Sequence, residues 1–287
     1  MIKMSMTALV VQNTLVAGAI ALSWYASRYI NLSQGSYEAK TQPVKPEVYG
    51  EAEYLANTVR PQMKQFVDKY LEAGSSKGDL DPATVILNQV RVNDGYPPDP
   101  NIFEETQEAE KSLEIGILFS NSVALRDFNR GFPLETCVQT LYNSISNHPN
   151  VSTWVGAYDK DLWVVKRPDF SYDATARGLL PDHTGSHLKL GSALNFCLDE
   201  IGRNTDLSIL YVVTNPLRRE KDKGEVRQQL SILRNRNIHV AFLYIDPQGN
   251  DIIDPLTDNY SVLDHDNLES LPHHLETLNE NILEEAV

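Results

Sequence analysis

Glu114-Ile-Gly-Ile-Leu-Phe-Ser-Asn-Ser122 is an apolar run that ends abruptly on small hydroxyl residues. Apolar positions bounded by polar ones fit a strand buried on both faces, with the polar stop at its carboxyl end. Two later runs repeat the pattern. Leu207-Ser-Ile-Leu-Tyr-Val-Val213 stops at Thr214-Asn215-Pro216, and Ile238-His-Val-Ala-Phe-Leu-Tyr-Ile245 stops at Asp246-Pro247. Helix-length segments separate the three, which predicts an α/β fold with a doubly wound, mostly parallel sheet. In such a sheet ligands bind outside the carboxyl ends of the strands.

Working outward, Phe132 to Asn147 carries Leu134, Cys137, Val138, Leu141, Tyr142 and Ile145 at helical spacing. Ser152 to Tyr158 and Asp161 to Lys166 alternate and are joined by Asp159-Lys160, which predicts an antiparallel edge hairpin. Helices are expected at Leu190 to Gly202 and Gly224 to Asn235, an edge strand at Tyr260 to Leu263, and an acidic helix at Leu271 to Ala286. These elements set a main domain at 111–265 and a C-terminal helix at 266–287.

A strand ending in Ser120-Asn121-Ser122, a helix opened by Leu188-Lys-Leu-Gly-Ser-Ala-Leu194 and a strand ending at Asn215-Pro216 resemble the von Willebrand factor type A (VWA) domain family. That family's metal-ion-dependent adhesion site reads Asp-x-Ser-x-Ser, then a Thr ahead of a Gly-x-Ala-Leu helix, then an Asp after a later strand. Laid on this chain, the first Asp falls on Leu118, the serines on Ser120 and Ser122, the Thr on Leu188 and the later Asp on Asn215. Hard divalent cations want charged oxygen ligands. The resemblance therefore implies a VWA scaffold whose metal site is lost or very weak, with no cofactor and no catalytic residues. The spacing up to Leu-Pro-Asp-His-Thr-Gly-Ser-His187 is most similar to members that work beside MoxR-type AAA+ ATPases, including nitric oxide reductase accessory proteins. It implies a protein partner of that kind, and the candidate partner-binding residues of this chain are Ser120, Asn121, Ser122, His187, Asn215, Arg218 and Arg219.

Ahead of the main domain, Thr7 to Ala26 is uncharged and about long enough to span a bilayer, with Trp24 and Tyr25 near its end. It reads as a membrane anchor, and the competing readings are a helix packing on a partner and a cleaved signal peptide; the alternative location is cytoplasmic. The side of the membrane is not readable. Residues 31–50, with Pro43 and Pro46, read as a linker. Residues 51–110 read as a helical accessory arm: Tyr54, Leu55, Val59, Met63, Phe66, Val67, Tyr70 and Leu71 trace an apolar stripe, and a short capped helix is expected at Ala83 to Val90.

Composition narrows the function further. The formal net charge is −14 and the hydrophobic fraction 41%. An acidic chain is poorly suited to gripping a phosphate backbone, which disfavours nucleic acid. Neither Gly-x-x-x-x-Gly-Lys-Ser/Thr nor Gly-x-Gly-x-x-Gly occurs, which disfavours nucleotide binding. Cys137 and Cys197 are expected as reduced core residues, a disulfide being the alternative.

Three other constellations carry possible chemistry. His183 and His187 have the spacing of a shared zinc site on a helix, but Thr184-Gly185-Ser186 between them argues for a loop. A Ser120-His-Asp hydrolase lacks the Gly-x-Ser-x-Gly elbow. His273-His274 lies on a polar segment and reads as solvated. Arg218 to Arg227 is a basic run, either a docking patch for an acidic partner or a solvated helix start. The leading expectation is a non-enzymatic interaction module, with a metal-dependent adhesion or hydrolytic protein using Ser120, Ser122, Asn215 and His183/His187 as the alternative.

Overall fold

The computed structural model describes residues 36–75, 91–92, 112–122, 125, 132–168, 172–185, 189–201, 207–215, 220–246, 256–264 and 266–286. The expected segment 7–26, the short helix at 83–90, and His187, Leu188, Arg218 and Arg219 lie outside them. Among the described residues no helix is long and apolar enough to cross a membrane.

In chain order the elements are β1 (Ser36–Glu38), α1 (Pro46–Ser75), β2 (Leu113–Ser120), α2 (Phe132–Ile145), β3 (Val151–Tyr158), β4 (Leu162–Lys166), α3 (Ala174–Arg177) and α4 (Leu190–Glu200). They continue with β5 (Leu207–Thr214), α5 (Glu220–Asn235), β6 (Ile238–Asp246), β7 (Tyr260–Asp264), a 3-10 turn (Leu268–Ser270) and α6 (Leu271–Ala286). The seven strands form one sheet in the order β1-β4-β3-β2-β5-β6-β7. Only the β3–β4 pair is antiparallel. This is the doubly wound, mostly parallel α/β architecture with its hairpin.

The central strand shows why its sequence is continuously apolar. Every residue of β2 is buried, because alternate side chains feed two different cores. Leu113, Ile115, Ile117 and Phe119 pack on one face with α1, α2 and α6, through residues such as Met63, Val138 and Leu278. Leu118 points to the other face, with Trp154, Leu210, Val212 and Phe242 of the sheet and Leu194, Cys197 and Val226 of α4 and α5. The two thiols thus sit in separate cores, both free, and burial pushes each well above the usual thiol range.

Several expectations need correction. Residues 31–50 are not a simple linker: Ser36–Glu38 pairs in parallel with Leu162–Val164, so the hairpin is covered by β1 and is not the sheet edge. Pro46, expected within that linker, begins α1, where its fixed φ suits a first turn and its missing N–H is no loss. Nor is α1 an accessory arm. Leu55, Val59, Met63, Phe66 and Tyr70 are buried in the same core as β2, because the sheet face needs a third helix beside α2 and α6. Tyr54, expected on that stripe, is 69% exposed.

α1 and α6 are also joined by a buried polar bridge. The Tyr211 hydroxyl of β5 donates to Asn279 Oδ1, and Asn279 Nδ2 donates to the Met63 sulfur at 3.2 Å.

Candidate functional site at the crest of the sheet

Parallel strands end together, so the polar residues that stop β2 and β5 are brought to one crest beside the β3–β4 turn. Ser120 is the last residue of β2, in register with Tyr158, the last of β3. The chain stays tied to the sheet beyond it: Asn121 N donates to the Tyr158 carbonyl at 2.7 Å. Gly185 N donates to the Asn121 carbonyl at 3.0 Å, and Asn121 Nδ2 donates to the His183 carbonyl at 3.0 Å. Ser122 forms a bridge with Gly185. These bonds seat the loop at 181–185 against the end of β2.

Gly185 is required there by close approach. A Cβ on it would lie 2.1 Å from Asp159 Cβ and 2.4 Å from a carboxylate oxygen, so the loop reaches the β3–β4 turn only because the residue has no side chain. Asp159 itself is 3% exposed. Its Oδ1 accepts the Asp161 N–H at 2.8 Å and the Trp163 Nε1–H at 3.3 Å. His183 Nε2 is 3.8 Å from its Oδ2, and the His183 ring stands edge-on to the Trp163 ring at 4.1 Å. The Asp159 carbonyl accepts Lys189 N–H at 2.8 Å where α4 begins.

Between β2 and β5 the crest is uncharged. The Tyr158 hydroxyl and Thr214 Oγ1 are 2.6 Å apart, with Ser120 alongside, and burial holds the phenol far above its ordinary range, so it remains protonated. Three side-chain oxygens have no hydrogen-bond partner: Ser120 Oγ, Ser122 Oγ and Asn215 Oδ1, all out of contact with solvent. Ser120 is 0% exposed and Ser122 5%. Buried polar atoms are normally satisfied, because an unpaired one costs about 1–3 kcal/mol. All three belong to residues at or just past the ends of β2 and β5.

The structure brings together Ser120, Asn121, Ser122 and Asn215 and sets His183 beside them. Leu118 does not join them. It is 0% exposed and packed in the α4–α5 core, and Ser120 is the last residue of the strand. Residues overlooked by sequence reasoning are Tyr158, Asp159, Trp163 and Thr214. Their signal was present in the polar ends of the runs at Tyr158 and Thr214.

The adhesion-type divalent cation does not fit the donors described. The orphaned oxygens are two hydroxyls and one amide, whereas such ions usually take at least one carboxylate among their oxygen ligands. The buried acid, Asp159, is engaged with Trp163, Asp161 and His183. Among the described residues no three or more His, Cys, Asp or Glu side chains are grouped to hold a metal.

No protein-family model matches the sequence, and no curated protein matches it. Among solved structures, matches include proximal thread matrix protein 1 of the mussel byssus with a zinc-occupied MIDAS motif, at 13% identity and a TM-score of 0.47, covering 58% of this chain and 46% of that one. Manganese-loaded TRAP protein of Plasmodium vivax matches at 14% identity and a TM-score of 0.44, covering 56% of this chain and 72% of that one. The pilus adhesin SpaC of Lactobacillus rhamnosus GG, in its open conformation, matches at 10% identity and a TM-score of 0.42, covering 61% of this chain and 30% of that one. The matched part of this chain thus spans less than half of the mussel protein. The fold class rests on the strand order and the hairpin.

Proposed function

We propose that this chain is a non-enzymatic protein-interaction module of VWA type that binds its partner at the crest of the sheet without a divalent cation. The observation that carries this reading is the crest itself: three orphaned, uncharged oxygens where the fold places ligands. A nucleophile would need a base within hydrogen-bond reach, and the Ser120 and Ser122 hydroxyls have no hydrogen-bond partner. The same orphaned oxygens favour one competing reading, metal-dependent adhesion or hydrolysis through Ser120, Ser122, Asn215 and His183/His187. The lack of a carboxylate among the described orphaned groups at the crest, and the engagement of His183 with Asp159 and Trp163, weigh against it.

The finer reading follows the sequence resemblance. The partner is a MoxR-type AAA+ ATPase, or another component of a larger assembly held at a membrane through 7–26. Cross-linking the full chain in its native cells and identifying what it captures tests this. Capture should fail with Ser122→Trp, which fills the crest, and persist with Arg60→Ala on α1. Equal capture by both variants would overturn the crest as the binding surface.

A further inference from the structure

The pairing registers set Ser36, Leu162, Tyr158 and Ser120 in one row across four neighbouring strands: Ser36 is opposite Leu162, Leu162 opposite Tyr158, and Tyr158 opposite Ser120. Neighbouring strands lie about 4.8 Å apart, so the first residue of β1 sits roughly 15 Å across the sheet from Ser120 at the same height. β1 runs parallel to β4, and β4 starts at the crest. The chain therefore enters the sheet at the crest and not at the base. The base, where β2, β5 and β6 begin, lies a strand length away, about 25 Å for a strand like β2.

That entry point is held on two sides. Ala39 N donates to the Val164 carbonyl at 2.9 Å, Gln42 N to the Leu180 carbonyl at 3.1 Å, and Asp182 N to the Lys40 carbonyl at 2.7 Å, while Thr41 and Pro181 form an antiparallel bridge. Gly178, at φ +70°, permits the close approach: a Cβ on it would lie 1.9 Å from the Gln42 carbonyl oxygen. Residues 36–42 are thus tied to β4 and to the start of the 181–185 loop. Whatever residues 1–35 engage is tethered to the crest.

The uncharged run Thr7 to Ala26 ends ten residues before Ser36. Ten chain steps reach about 35 Å when fully extended and about 18 Å as a coil. The coil span is shorter than the depth of the sheet, and a body tethered so closely turns its attachment end toward the surface that holds it. Tyr37, 45% exposed, lies at that end with its ring 5.0 Å from that of Trp163, and amphipathic aromatics of this kind favour a membrane–water boundary. The net charge of −14 opposes adsorption of the body on anionic lipid. The crest is presented to the bilayer across a gap and is not embedded in it.

We propose that the crest faces the membrane held by 7–26, and that its partner is the extramembrane part of a membrane protein reaching into the gap between crest and bilayer. This inference rests on the membrane reading of 7–26 given above, and of the two kinds of partner named there it selects the membrane component over a soluble ATPase.

The test reconstitutes the full chain in phosphatidylcholine vesicles that carry an acceptor dye on their headgroups, with a donor dye on one introduced cysteine. Cys137 and Cys197 are 0% exposed and stay unlabelled. Lys160→Cys marks the crest, on the β3–β4 turn where that side chain is 68% exposed, and Asn235→Cys marks the base, at the end of α5 ahead of β6. Thermal unfolding checks that both variants are folded. Energy transfer should be stronger from Lys160→Cys than from Asn235→Cys, and the partner whose capture is lost in Ser122→Trp should fractionate with membranes. Equal transfer from the two positions, or stronger transfer from the base, overturns the orientation while leaving the membrane reading in place. Failure of the chain to float with the vesicles overturns the membrane reading, and the orientation with it. Transfer from Lys160→Cys that rises when phosphatidylserine is added shows docking on lipid and overturns the protein partner, as does capture of a soluble ATPase at the crest.

Discussion

Asn121, just past the end of β2, donates its Nδ2 to the carbonyl of His183 at 3.0 Å, and its own carbonyl receives the Gly185 N–H at 3.0 Å. One residue therefore fastens the loop at 181–185 to the central strand from two directions. Replacing Asn121 by Ala keeps the backbone bond and removes the side-chain one. The expected cost is about 1 kcal/mol, the net worth of a typical hydrogen bond. Amide hydrogen exchange at Gly185 should accelerate while the amides of β2 stay protected, and unchanged exchange at Gly185 would show that the loop is held by other contacts.

The buried bridge from Tyr211 through Asn279 to Met63 ties β5, α6 and α1 together. Tyr211→Phe leaves Asn279 Oδ1 buried without its donor, at a cost of about 1–3 kcal/mol. Urea unfolding should show a single transition moved to lower denaturant, because α1 belongs to the core. A separate early transition for α1 would instead make it an independent arm.

Two glycines should respond to Ala in opposite directions. A Cβ at Gly156 in β3 would fall 2.2 Å from the ring of Trp154, which is fully buried. Overpacking there should cost about 1–3 kcal/mol. Gly224 lies in α5, and a Cβ added to it would meet nothing within 4 Å, so Gly224→Ala should gain about 1 kcal/mol from helix propensity. Thermal unfolding of the two variants side by side reads both signs.

His274 on α6 is 2.7 Å from Ser261 Oγ through its Nδ1. Burial, with the neighbouring charge of His273 second, holds its pKa below the ordinary histidine value of 6.5. The unfolded chain therefore binds a proton first as pH falls. Stability should be lost from about 6.5 downward, until the folded histidine also protonates, and be insensitive to this group above that value. His274→Gln should flatten this slope in a series of unfolding curves across the window. An unchanged slope would assign it to other groups.

Both cysteines lie at 0% exposure in separate cores. Neither should react with iodoacetamide in the native protein, and both should react once it is unfolded. Mass spectrometry of the alkylated chain distinguishes this from a disulfide, which would block both in either state.

The sheet was legible in the sequence because its central strands are buried on both faces, and a run such as Leu113–Ser120 has no other place to go. The hairpin was legible from alternation and its Asp159-Lys160 turn. What escaped was long-range. Nothing local in Ser36–Glu38 says that it pairs with β4, and the stripe on α1 reads the same whether it meets a partner or its own sheet. At the crest, Ser120, Ser122 and Asn215 were visible as the polar ends of apolar runs. The burial of Leu118 against α4 and α5 was not, because a run that is apolar on both faces does not say which helices each face meets. Asp159 looked like a turn residue and nothing more. Its burial under Gly185 depends on a loop that closes across the hairpin.

The account turns on a crest whose uncharged oxygens hold no divalent cation by themselves. Calorimetric titration of the full chain with Mg²⁺, Mn²⁺ and Zn²⁺ measures this directly. It should give no saturable heat with any of the three. A micromolar site for one of them, abolished by Ser120→Ala, would contradict it.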